Sequence, residues 1–171
     1  MTVSSINRLG WMALITLILG SVTSSFGIGI IISIISLIIT TMLYKRIDDM
    51  GYGTSLFNFS ISQYLIAGVP TGLMVYFGVS QYTDKSHGVM FLVAVVILAL
   101  LLFVAILNYF IAKSLLIVAE KCDNAWFKIS GVLTKFGAYT VPVLIGFMLL
   151  ILAQPIFLIG CITFKGIQKT A

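Results

Sequence analysis

From Gly10 to Tyr44 the chain runs 35 residues without a charged side chain. As one helix this stretch would be about 52 Å long at 1.5 Å per residue, far more than a hydrocarbon core of about 30 Å requires. Its middle, Gly20-Ser-Val-Thr-Ser-Ser-Phe-Gly-Ile-Gly29, gathers small, polar and helix-weakening residues, where a turn is favoured. The pattern predicts two short helices, about 6–22 and 27–44, in a tight hairpin. A single tilted helix with an amphipathic lead-in is the alternative, because each half is short for a span.

Composition extends this to the whole chain. Of its 171 residues 60% are hydrophobic and 9% charged, against roughly 45–50% and 25% in soluble domains. No soluble fold keeps that much apolar surface from water. The expected class is all-α: one polytopic transmembrane helical bundle over residues 1–171. Further spans are expected at about 55–79, 89–112 and 137–164, giving five, or four if the first hairpin is one helix. Alternating charges and apolar groups in 113–135 predict an amphipathic cytoplasmic segment lying at the interface. Met1–Ser25 has the outline of a secretory leader, but the apolar run resumes at Phe26, which suits a retained helix better.

The net charge of +5 comes from Lys and Arg residues clustered at the ends of apolar runs. That is a membrane-flank pattern, unlike the contiguous basic face that nucleic acid needs. Arg8, Lys45, Arg46, Lys113, Lys121, Lys128 and Lys135 fall on one face of the five-span arrangement and Lys85, Lys165 and Lys169 on the other. The positive-inside rule assigns the first face to the cytoplasm and places the C-terminus outside.

Marks of chemistry are sparse. All five carboxylates, Asp48, Asp49, Asp84, Glu120 and Asp123, fall in loops or at span ends, which argues against a pump with a central acid. Asp48 and Asp49 are adjacent and point about 100° apart on a helix, so they do not converge on a metal; a charge-balanced turn facing Lys45 and Arg46 is expected. His87 is the only histidine, and Cys122 and Cys161 lie in no metal or disulfide spacing. Nucleophile-elbow, phosphate-loop, zincin and dinucleotide signatures are missing. The reading is non-enzymatic, with no cofactor and no metal.

Polar residues inside the spans point to assembly. Asn58, Gln63, Asn108 and Gln154 suit hydrogen bonds between helices, and Pro155 frees the carbonyl four residues before it. Gly68 and Gly72, spaced as GxxxG around Pro70, suit close helix approach.

The loop Tyr44-Lys-Arg-Ile-Asp-Asp-Met-Gly-Tyr-Gly53, between two hydrophobic helices, resembles that of a bacterial inner-membrane family of unknown function with an Arg-x-x-Asp-x-Gly pattern. Arg46, Asp49 and Gly51 match that skeleton; Asp48 replaces the family's histidine, and the tryptophans after its glycine are missing. The likeness covers about residues 28–78. It implies a cytoplasmic loop, to which Lys45, Arg46, Asp48, Asp49 and Gly51 would belong, and no activity.

The expectation from sequence is therefore a subunit of a larger membrane assembly of secretion, conjugation or respiratory type. It would sit in a bilayer, with other membrane subunits or copies of itself as partners and no nucleic acid. A small homo-oligomeric channel or transporter, and a membrane immunity or exclusion protein, are the alternatives.

Overall fold

The computed structural model describes residues 3–23, 28–65, 87–141 and 145–166, which are helical and contain no strand. The elements are α1 (Val3–Val22), α2 (Ile28–Asp48), α3 (Leu56–Gln63), α4 (His87–Cys122), α5 (Ala125–Thr140) and α6 (Ile145–Ile162). Each packs on the next in the chain, and α6 returns to pack on α1, so the six close into a ring.

Short polar devices at one end set the turns. Lys45 and Arg46 occupy the last turn of α2, where cations favour the helix dipole. Gly51, at φ 79°, takes the left-handed conformation that ends the turn, its N–H donating to Asp48 O at 3.0 Å. Between α4 and α5, Asp123 turns the chain at φ 45°. Asn124 then caps α5 by accepting from Trp126 N and Phe127 N at 3.0 and 3.4 Å.

The same end ties the ring together. Arg46 Nη1 donates to Ser5 Oγ at 2.6 Å, Lys121 Nζ to Tyr52 O at 2.7 Å and Asn124 Nδ2 to Gly160 O at 3.1 Å. Asn7, with its amide nitrogen toward the α6 terminus, donates to Cys161 O at 3.0 Å and reaches Phe164 O at 3.2 Å. The starts of α1, α3 and α5 and the finishes of α2, α4 and α6 therefore share one end, which carries Arg8, Lys45, Arg46, Lys121, Lys128 and Lys165. Beneath it lies the apolar core, built around Leu43, Ile47, Leu56, Leu115, Phe127, Phe157 and Phe164.

One expectation needs correction. Residues 113–135 are not one segment: 113–122 complete α4, and α5 packs along α4 and α6. The buried face of α5 is Phe127, Ser130, Gly131, Thr134, Gly137 and Ala138, so it is made by small size more than by hydrophobicity. The described chain finishes where it begins, with Gly166 beside Val3.

Burial is inverted relative to a soluble bundle. Trp11, Ile15, Ile18, Ile31, Ile34, Ile38, Leu102, Ile106, Met148 and Ile151 face outward, while Ser36, Thr40, Ser60, Asn108, Ser114, Ser130 and Thr134 are buried. So broad an apolar exterior suits lipid and is a liability in water. Among the described residues three helices are long and apolar enough to cross a membrane: Val3–Val22, the Leu98–Cys122 part of α4, and Ile145–Ile162. In addition, α2 is uncharged from Ile28 to Tyr44.

Candidate functional site

Beyond the apolar core, five helices line a half-open cavity of about 260 Å³. Its aromatic floor is the pair Tyr44 and Phe157, with ring centroids 4.8 Å apart. Helical periodicity aims polar groups into it at spacings of three and four, since those residues share a face. Thr40 and Tyr44 come from α2; Ser60, Gln63 and Tyr64 from α3 and its last turn; Ser130 and Thr134 from α5. Asn108 of α4 and Gln154 of α6 complete the polar lining, and Val104, Ile111, Leu150 and Ile151 are among the apolar walls.

No charged side chain is among the described lining residues, and among the described residues no three His, Cys, Asp or Glu side chains gather as a metal site. The hydroxyls are largely committed to backbone. Thr40 Oγ1 donates to Ser36 O at 2.9 Å, Thr134 Oγ1 to Ser130 O at 2.8 Å, and Ser130 Oγ crosses to α6, donating to Ala153 O at 2.9 Å. Asn108, 6% exposed, donates to Val104 O of its own helix at 2.8 Å. It was expected to bond between helices; the structure directs it instead along its own helix and toward the cavity. Ser60, 1% exposed, has the Tyr64 hydroxyl as its side-chain neighbour.

Of the residues singled out from sequence, the cavity brings together Gln63, Asn108 and Gln154. Pro155 follows Gln154 within α6, so the ladder bond to the carbonyl of Ile151, also in the lining, is missing for want of an N–H. Asn58 is exposed and apart from the cavity. Gly68 and Gly72 lie outside the described residues.

The loop residues form a separate structural unit. Asp48 accepts from Thr54 Oγ1 at 2.5 Å and from the backbone of Leu56 and Phe57 at 3.1 and 2.8 Å, capping α3. Lys45 Nζ lies 5.6 Å from the Phe57 ring centroid, a cation–π contact, and Asp49 is exposed. The expected balance of two bases against two acids is thus replaced by separate partners for Lys45, Arg46 and Asp48. Thr40, Tyr44, Ser60, Tyr64, Ser130 and Thr134 were missed in the sequence. The available signal was polar pairs at helical spacing inside apolar runs.

Comparison with family models, curated proteins and solved structures finds no match to this chain.

Proposed function

We propose that this chain is a non-enzymatic, multi-pass protein of the bacterial inner membrane that binds a small uncharged polar solute within the bilayer and lets it cross. The observation that carries this reading is a half-open pocket between five helices whose described lining is uncharged and sets polar side chains among apolar walls, in a bundle whose outer surface is apolar. Ions are disfavoured because no described lining residue offers a countercharge, and an unpaired ion is costly to bury. The basic end, which carries Arg8, Lys45, Arg46, Lys121, Lys128 and Lys165, faces the cytoplasm on the positive-inside rule. The bacterial assignment rests on the resemblance of the Tyr44–Gly53 loop.

The test is reconstitution of the purified protein into liposomes, with solute entry followed by stopped-flow shrinking and swelling. Faster equilibration of uncharged polar solutes than in empty vesicles, with unchanged leakage of potassium chloride, is the expected result. Rates equal to those of empty vesicles for every uncharged solute would sink the reading. Membership of a larger assembly draws on small size, scarce soluble loops and packing features in the sequence, of which Gly68 and Gly72 lie outside the described residues. Extraction in mild detergent with identification of stoichiometric partners separates that reading from this one.

A further inference from the structure

Two described bases, Lys113 and Lys135, stand apart from the basic end. Lys113 sits nine residues before the end of α4, inside the Leu98–Cys122 stretch that is long and apolar enough to cross a membrane. At 1.5 Å per residue that is about 13 Å from the helix end. Lys135 sits ten residues after the start of α5, about 15 Å along it. The two helices run antiparallel through the turn at Asp123 and Asn124, and two contacts set their register. Gly131 lies against Leu116 and the carbonyl of Ala112, and the rings of Tyr109 and Tyr139 have centroids 5.9 Å apart. Four residues from each tyrosine toward the turn, on the same helix face, come Lys113 and Lys135. The lysines therefore occupy one level of the α4–α5 seam. Lys113, Tyr109 and Tyr139 are exposed and Lys135 is half-buried, so this edge of the seam lies on the outer surface.

Two like charges at one level of a membrane-spanning surface are costly without an anion between them. Among the described residues no carboxylate shares that level: Asp48, Asp49, Glu120 and Asp123 all lie at the basic end. Glu120 and Lys128 stand level with each other about two turns, or 10 Å, nearer that end, and their charges offset at the mouth of the seam. A second copy of the chain brings its described carboxylates to the same end, so it supplies no acid at the depth of the lysines. An anionic lipid does. Lysine stems lie along apolar surface and carry their ammonium groups toward the headgroups, and basic sites between helices on the cytoplasmic side suit anionic lipid headgroups. Trp126, 41% exposed at the start of α5, is of the type that sits at the headgroup level.

We propose that the outer edge of the α4–α5 seam binds an anionic phospholipid of the cytoplasmic leaflet, its phosphate held between Lys113 and Lys135. The site is on the opposite side of the argument from the cavity: it needs the chain to span a bilayer, and it stands whether or not a solute crosses.

The experiment places the full chain in bilayers of equal parts phosphatidylglycerol and phosphatidylcholine, extracts it in mild detergent, and counts retained lipids by native mass spectrometry. Wild type is expected to retain phosphatidylglycerol over phosphatidylcholine by about tenfold or more, the scale that two lysines near a membrane surface give. Lys113→Gln with Lys135→Gln is expected to remove most of that preference, and either substitution alone to weaken it. Lys113→Arg with Lys135→Arg, and Lys128→Gln, are expected to keep it. Thermal midpoints in the two lipids give a second readout. Wild type is expected to melt higher with phosphatidylglycerol present than in phosphatidylcholine alone, and the double Gln variant to melt alike in both. Equal retention of the two lipids by wild type overturns the proposal, as does a preference unchanged in the double Gln variant. A protein that co-purifies with wild type and is lost from the double Gln variant, with no lipid preference in either, makes the seam a protein interface and overturns the lipid assignment.

Discussion

The Asp48 carboxylate, last in α2, accepts the Phe57 backbone N–H at 2.8 Å and so caps the first turn of α3 from the helix before it. Two further contacts, to Leu56 N and Thr54 Oγ1, use the same carboxylate. Replacing a capping carboxylate costs about 0.5–2 kcal/mol, and the half-buried site puts Asp48→Ala at the upper part of that range. The exposed neighbour Asp49 makes no such cap, and Asp49→Ala is expected to stay within about 0.5 kcal/mol of wild type. Denaturant titration in detergent micelles, read by helical circular dichroism, compares the two.

Tyr52 sits under this turn and is buried, with its hydroxyl accepting from Cys122 Sγ at 3.1 Å. Burial, followed by the Cys122 contact, pushes the phenol's pKa above its ordinary value of 10.0. An acid whose folded pKa is raised stabilises the fold below its unfolded pKa, and loses that contribution as pH climbs through the folded value. Wild type is therefore expected to lose stability in alkali above about pH 10, with a steeper slope than Tyr52→Phe. Parallel slopes for the two proteins would show that Tyr52 does not couple folding to pH.

At the α5–α6 crossing, a Cβ on Gly146 would collide with the carbonyl of Gly137 and the backbone nitrogen of Val141. Neither obstacle is a flexible side chain, so Gly146→Ala must push the two helices apart, at roughly 1–3 kcal/mol or more. Gly51→Ala meets no atom within 4 Å and suffers only from its φ of 79°, about 1–2 kcal/mol. The two variants should differ in more than stability: the first is expected to perturb solute passage by reshaping the cavity wall, and the second to leave it unchanged. Stopped-flow rates on both would decide this.

The shared end of the ring predicts that reporters fused before Val3 and after Gly166 occupy the same compartment. Paired fluorescent and phosphatase fusions at the two sites read this directly. Opposite compartments would contradict the shared end at which Gly166 lies beside Val3.

Parts of this architecture are readable without coordinates. The Gly20–Gly29 cluster announces the α1–α2 break, and the glycines after Asp49 announce the turn into α3, because both rest on local backbone chemistry. What reasoning from hydrophobicity misses is α5. Lys128 and Lys135 interrupt its apolar pattern, and its buried stripe is Ser130, Gly131, Thr134, Gly137 and Ala138, residues selected for size. The Asn124 cap was the overlooked cue to its start. The cavity is harder still, since single serines and threonines are ordinary in lipid-spanning helices. Only the ring brings Thr40, Ser60 and Thr134 to one space.

Ring closure also sets a timetable for biogenesis. Gly10 of α1 fits against Cys161 and Ile162 of α6, and Asn7 is satisfied by carbonyls at the same place. Helix α1, made before α6, thus waits for it before its inner surface is complete. Until then, Asn7 and the slot at Gly10 are available to any other helix in the bilayer, so the newborn α1–α2 hairpin is the stage at which an insertion chaperone would have most to protect.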